Sequence, residues 1–279
     1  SSHTIRAYKN DLMQFYNSNY DNVESYIEQL TQSNIKTNTL RRKIACMKVF
    51  YNYLKYQNII EENPFNQLRF QFRTEKILPK TIPHDILKSI FIYLEQKVIV
   101  SKTDYQKQHA ERNLLIISLL LSTGIRISEL CHIHLKDINL SNKTLHIIGK
   151  GKKERILFLG DQKTFNLLET YINKTRNESN DFLFPGKHSL KPLSEQSVRL
   201  VIKRIVEQNN FSRTITPHMF RHSFATMLLD SDVDIRYIQQ ILGHSSISIT
   251  QIYTHVSHSK QKEILSSFNP VSVIHSEIE

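Results

Sequence analysis

Glycine is scarce in this chain. Only 6 of 279 residues are glycine, about 2% where average usage is roughly 7%. None precedes Gly124. A chain so poor in glycine should keep it where the backbone needs positive φ or a close approach, so Gly124, Gly149, Gly151, Gly160, Gly186 and Gly243 mark places to look. Cysteine is equally sparse. Cys46 and Cys131 cannot build a disulfide framework and neither belongs to a CxxC pair, which makes a reducing compartment the default. No apolar run is long enough to span a bilayer; the longest, 114–121, is interrupted by Ser118 and suits a buried helix. No signal-peptide pattern opens the chain, and the initial Ser-Ser-His is compatible with a start further upstream. Acidic residues are the minority, 26 against 37 Lys and Arg, for a net charge of +11. That excess points to a polyanionic partner or an anionic surface without deciding a function. A hydrophobic content of 39% with 9% aromatics excludes wholesale disorder.

The first sixty residues read as helices: one capped by Thr4 and running to about Tyr16, one capped by Asn22, and a third opened by Thr37 or Asn38. In the third, Leu40, Ile44, Met47, Tyr51 and Leu54 recur at steps of four and three, one face of a helix. Asn63-Pro64 ends the run. From 67 to 83 the pattern lapses into polar and basic residues with prolines at 79 and 83, which predicts a linker between domains at 1–66 and 84–279. Residues 1–80 carry 12 basic and 7 acidic side chains, and 81–279 carry 25 and 19, so both halves are basic. Two domains sharing one polyanion would look like this.

The second part alternates. Helices are predicted near 84–97 and 109–122, then a break at Gly124 and a short helix to about Ile133. Two β-rich runs, 144–148 and 155–159, flank Gly149-Lys150-Gly151-Lys152-Lys153-Glu154, which reads as a hairpin with a basic tip. Further helices are expected at 161–176, 194–208, 217–230, 234–242 and 246–255, with a last amphipathic piece at 258–268. Gly160 and Gly186 read as ordinary turn residues. The fold class is therefore mainly α: an N-terminal helical bundle and an α+β domain with a small β-hairpin.

The densest chemistry is Thr216-Pro217-His218-Met219-Phe220-Arg221-His222. His218 and His222 have the i, i+4 spacing of a zinc pair, but Met219 stands where a metalloprotease carries its glutamate, and no convincing third ligand accompanies them. A surface helix with satisfied histidines is the default for the stretch alone. A phosphate site, with arginine as clamp and histidine as proton carrier, is the third reading. Other fragments extend that reading: Arg126 after a glycine break, Lys150 between two glycines, Leu242-Gly243-His244, and Tyr253 nine residues beyond His244. Two Arg, one Lys, two His and one Tyr, without a carboxylate pair or a metal set, suit attack by a phenol on a phosphodiester.

In order and spacing, Arg126, Lys150, His218-Met-Phe-Arg221-His, Leu-Gly-His244 and Tyr253 resemble the tyrosine recombinases of the phage integrase family, especially the Xer type. The strings Thr-Gly-Ile-Arg-Ile-Ser-Glu-Leu, Gly-Lys-Gly-Lys-Lys-Glu-Arg and Phe-Arg-His-Ser-Phe-Ala-Thr carry the likeness. The opening Thr-Ile-Arg-Ala-Tyr-Lys-Asn-Asp-Leu extends it to the family's SAM-like core-binding domain.

The resemblance implies a site-specific recombinase that breaks and rejoins DNA through a 3′-phosphotyrosyl intermediate and a Holliday junction. Tyr253 would be the nucleophile, Arg126 and Arg221 the clamp on the non-bridging oxygens, and Lys150 the general acid. His218 would accept the tyrosine proton, His244 would bond a non-bridging oxygen, and Glu129 would support Arg126. No metal or other cofactor is implied. The expected partners are a double-stranded recombination site and three further copies, in a tetramer on two sites joined by the segment after Thr254. The expected location is the cytoplasm, on the nucleoid. Arg41, Arg42 and Lys43 on the third helix, and Gln196 on the 194–208 helix, are candidates for DNA contact. Where the family usually has a glycine in the turn after the Arg221 helix, this chain has Asp230-Ser231-Asp232-Val233-Asp234; Asp232 can tolerate the left-handed geometry. A type IB topoisomerase and a non-catalytic DNA-binding protein on the same fold are the competing readings, with a metal hydrolase behind them. Chromosome-dimer resolution and mobile-element integration stay open alternatives.

Overall fold

The computed structural model describes residues 2–18, 20, 22–68, 80–149, 153–175, 181–186, 191–243 and 258–278. The chain forms two compact units, Ser1–Leu78 and Pro79–Glu279. Of the expected linker at 67–83, residues 69–79 lie outside the described residues, as do the hairpin tip at 150–152 and the helix expected at 246–255. Among the described residues no helix is long and apolar enough to cross a membrane.

The first unit is a small helical bundle of α1 (Ser2–Tyr16), α2 (Val23–Gln32) and α3 (Thr37–Tyr56), closed by a 3-10 turn at Pro64–Asn66. Helix α1 starts before Thr4, so Thr4 sits in its first turn instead of capping it. Asn22 does cap α2, its Oδ1 accepting from the Ser25 amide at 2.8 Å. The stripe on α3 buries Leu40, Ile44 and Met47 against Val23, Tyr26, Ile27, Leu30 and Phe65. Asn63 accepts from the Phe65 amide at 2.9 Å, and the turn this makes delivers Phe65 into that core.

The second unit contains, in order, α4 (His84–Ile99), α5 (Asp104–Thr123), α6 (Ile127–Cys131), β1 (Ile138–Asn139), β2 (Thr144–Ile148), β3 (Glu154–Phe158), α7 (Gln162–Thr175), α8 (Glu195–Gln208), α9 (Pro217–Asp230), α10 (Ile235–Leu242), α11 (His258–Ser267) and α12 (Pro270–Ile278). Every residue of α5 from Leu115 to Thr123 is buried. A helix apolar on all sides has to be surrounded, and α4, α7, α9 and α12 surround this one. Thr123 is accommodated there by returning its hydroxyl to the Leu119 carbonyl at 2.5 Å. The strands form an antiparallel sheet in the order β1-β2-β3, with Leu145 opposite Leu157 and Ile148 opposite Glu154. Where β2 and β3 meet the connection between them, the Gly149 amide bonds the Lys153 carbonyl at 2.7 Å.

Two features differ from expectation. Helix α12 was not anticipated: only 258–268 read as a last amphipathic piece, yet Val271 and Ile274 are fully buried on the unit's own core. In the single chain α12 packs on α4, α5, α7 and α9. Gly160 is not an ordinary turn residue either. A Cβ there would lie 1.8 Å from the Leu265 carbonyl oxygen, so glycine is needed to let α11 pass over the end of β3. In the turn between α9 and α10, Asp232 takes φ of +58°, the left-handed geometry anticipated for it.

Candidate active site

Helix α5 ends because Gly124 is left-handed, with φ of +61°. A Cβ at that position would strike Phe224 Cδ1 at 2.5 Å and Leu242 Cδ2 at 2.7 Å, so any other residue is excluded by conformation and by space. The sharp exit places Arg126 two residues on, at the N-cap of α6. Its backbone amide donates to Glu129 Oε2 at 2.9 Å and its Nη1 to Glu129 Oε1 at 2.9 Å. A third of the Arg126 side chain stays exposed, whereas Glu129 is buried.

Arg221 comes from the first turns of α9, which opens with Pro217 at its first position. It is 6% exposed. Nη1 donates to the Gly124 carbonyl at 2.7 Å and Nη2 to the Leu242 carbonyl at 2.8 Å. Burial pushes its pKa down to about 10, and the neighbouring Arg126 and Arg155 charges add to that while Glu129 opposes it. The guanidinium is still charged at neutral pH, held at the ends of two helices that both stop at a left-handed glycine.

One member of this group escaped the sequence reading. Arg155, on β3, reaches Glu129 with a two-pronged contact, Nη1 to Oε1 at 3.2 Å and Nη2 to Oε2 at 2.8 Å. Its Nε donates to the Ile241 carbonyl at 2.9 Å. The only hint in the sequence is its place at the end of Gly-Lys-Gly-Lys-Lys-Glu-Arg. Burial alone would raise the Glu129 pKa, but hydrogen bonds and charge from Arg155 and Arg126 outweigh it and hold the carboxyl below its ordinary range. Glycines fit around the pair. A Cβ at Gly149 would sit 3.3 Å from Glu129 Oε1, and one at Gly243, itself at φ of +66°, would sit 3.2 Å from Arg155 Nη1.

Of the expected site residues, the structure therefore gathers Arg126, Arg221 and Glu129. His218 is exposed on α9, one turn before Arg221. His222 is exposed as well, its pKa lowered by partial burial and by the charges of His218 and Arg221. Lys150, His244 and Tyr253 lie outside the described residues. Gln196 is exposed in the first turn of α8. Arg41 is exposed on α3. Arg42 is partly exposed and pairs with Asp11 at 2.5 Å. Lys43 corrects the expectation for this run: it is buried, bonded to Gln14 and 3.4 Å from Asp11, and so does not face outward. The reason is angular. Three consecutive helix residues span about 200° of the circumference, and Lys43 falls on the stripe of Leu40 and Met47. Among the described residues no group of three or more His, Cys, Asp or Glu is placed to hold a metal ion.

Comparison with known proteins gives a consistent answer. Residues 92–260 match the "Phage integrase family" and residues 1–58 match "Phage integrase, N-terminal SAM-like domain". A tyrosine recombinase of Agathobacter rectalis is 48% identical over 285 residues, covering 98% of this chain and 92% of that protein. The tyrosine recombinase XerC of Bacillus subtilis is 32% identical over 263 residues, covering 92% and 83%. Among solved structures, the XerH site-specific recombinase in a post-cleavage complex with palindromic difH substrate superposes with a TM-score of 0.66 at 20% identity, covering 96% of this chain and 76% of that one.

Proposed function

The chain belongs to the phage integrase family and is a tyrosine site-specific recombinase, and we propose from that premise how its residues divide the breaking and rejoining of DNA. Tyr253 Oη attacks the scissile phosphorus, the bond from phosphorus to the 5′ oxygen breaks, and a 3′-phosphotyrosyl ester forms. Arg126 and Arg221 hold the two non-bridging oxygens and stabilise the charge that grows on them in the transition state. Lys150 gives a proton to the departing 5′ oxygen, and His218 takes the tyrosine proton. His244 donates to a non-bridging oxygen. The same steps reversed, with a 5′ hydroxyl from the partner duplex, reseal the strand; two rounds pass through a Holliday junction. The ester conserves the bond energy, so the scheme consumes no nucleotide.

The observation that carries this reading is the charge balance of the described site. Three guanidinium groups stand near one carboxylate, Glu129, which pairs directly with Arg126 and Arg155 while Arg221 bonds backbone carbonyls, leaving a net of two positive charges in a largely buried place. A phosphodiester supplies one negative charge in the ground state, and a pentacoordinate transition state supplies more. That difference is what a preorganised clamp exploits.

The XerH structure holds its recombination substrate; by analogy the partner here is a double-stranded recombination site. The domain at 1–66 would bind it and the domain at 84–279 cut it. Arg41 and Gln196 are the preferred contacts, and affinity resting on phosphates should fall steeply with salt. The working form in this proposal is a tetramer on two sites, with subunit contacts in the segment after Thr254.

The test is Tyr253→Phe on a nicked suicide substrate. The variant is expected to shift its site in a mobility assay yet yield no covalent complex on a denaturing gel. Covalent product with phenylalanine at 253 would overturn the nucleophile assignment.

A further inference from the structure

We propose that Arg155 is a positioning residue for strand cleavage, acting through Glu129 to set Arg126. The proposal rests on the reading above in which Arg126 grips a non-bridging oxygen.

The contacts around Arg155 form a closed circuit. Arg221 bonds the Gly124 carbonyl, two residues before Arg126. Arg126 bonds Glu129. Glu129 accepts from Arg155 on both oxygens. Arg155 bonds the Ile241 carbonyl, and the adjacent Leu242 carbonyl returns to Arg221. Four stretches of chain far apart in sequence (the α5–α6 junction, β3, α9 and the end of α10) are thereby fixed by four side chains. Only Arg155 brings β3 into the circuit.

Glu129 has about four lone-pair positions, and four are taken: by Arg126 N and Nη1 and by the two Nη of Arg155. Without Arg155 this buried carboxylate loses half of those bonds and one of its two counter-charges. A buried carboxylate left short of partners draws in whatever cation remains, and that cation is Arg126. Its guanidinium would then be pulled toward Glu129 and away from substrate. The requirement is for arginine in particular. A lysine ammonium is a compact point charge and cannot span both Glu129 oxygens while also bonding the Ile241 carbonyl. The space is fitted to the guanidinium as well, since a methyl group at Gly243 would press on Arg155 Cδ and Nη1, both at 3.2 Å.

The experiment compares two nicked suicide substrates, one with a normal scissile phosphodiester and one with a methylphosphonate. The methylphosphonate carries no charge on its non-bridging atoms and so has less need of Arg126. The proteins are wild type, Arg126→Ala, Arg155→Met and Arg155→Lys. Should Arg155→Met not fold, because Glu129 is left buried and short of partners, Arg155→Lys, which keeps a counter-charge beside Glu129, carries the test alone. On the phosphodiester, Arg155→Met and Arg155→Lys are expected to bind the site but cleave about 100-fold more slowly, the cost typical of a displaced catalytic group. On the methylphosphonate, Arg126→Ala and both Arg155 variants should recover most of that deficit together. Equal slowing of the Arg155 variants on both substrates, with Arg126→Ala recovering, would overturn the positioning role and leave the clamp assignment standing. Wild-type cleavage by Arg126→Ala on the phosphodiester would overturn the clamp assignment and this proposal with it.

Discussion

Two buried carboxylates in the second unit solve the same problem differently. Glu129 is neutralised by two guanidinium groups. Asp161, at the start of α7, is held by neutral donors: the Thr164 amide at 2.7 Å and the Ser272 hydroxyl at 2.7 Å, with the His275 ring 3.7 Å away. Burial would raise the Asp161 pKa, but His275, Ser272 and Thr164 more than offset it and hold the carboxyl at about 2. The surroundings explain the contrast. In the proposed scheme Glu129 organises positive charge in a place that receives an anion, so its partners are cations with capacity to spare. Asp161 joins α7 to α12, a mechanical task for which a helix cap and a hydroxyl suffice. Burial and a depressed pKa are common to both; what separates Glu129 from Asp161 is the charge of its partners.

The largest effect should come from Glu129→Gln, which makes the two sites alike by removing the charge. The amide cannot accept from four donors, and two cations lose their counter-ion. Breaking one partner out of such a network is expected to cost about 3 kcal/mol of stability and, through Arg126, about 100-fold in single-turnover cleavage; thermal unfolding and suicide-substrate kinetics read the two separately. Asp161→Asn should reverse the proportions. It is expected to remove about 2 kcal/mol of stability at neutral pH while cleavage per folded molecule changes little. The sign of the pH dependence follows from the folded pKa lying below the unfolded one. The stabilisation is complete above about pH 4 and is lost as pH falls toward about 2. The gap in unfolding temperature between wild type and Asp161→Asn should therefore narrow between neutral pH and about pH 3; a constant gap would show that the charge is not what matters. The smallest effect is expected for Ser272→Ala, which deletes one hydroxyl bond to Asp161 and should cost about 1 kcal/mol by denaturant titration, with no change at Glu129.

Much of the arginine cluster was readable from local pattern. The glycine breaks at 124 and 243, the register of 144–148 and the proline-led helix with Arg221 each leave a signature within a few residues. Arg155 left none. Its partners lie 26 and 86 residues away, and on a strand of alternating exposure it reads like any solvated arginine. Helix α12 escaped for a related reason: nine residues starting with proline are too few for a periodicity to stand out, and the helix is stabilised by what it packs on. Lys43 is a different kind of miss, because three residues from Leu40 and four from Met47 the core-facing position was already there to be counted. Gly160 needed knowledge of Leu265 on α11, more than a hundred residues later.

The end of α10 sets a limit that can be expressed as a tether length. Its last two carbonyls are held by guanidinium groups belonging to Arg155 and Arg221, so Gly243 is a fixed point relative to the clamp. Tyr253 is ten residues further on. At no more than about 3.5 Å per residue, its Cα lies within roughly 35 Å of that point by any path the chain can take. One turn of duplex DNA is about the same length. Under the proposed scheme, a phosphate gripped by Arg126 and Arg221 would thus be inside the radius of the tyrosine on the same chain, and phosphates much more than a turn away along the duplex would be outside it.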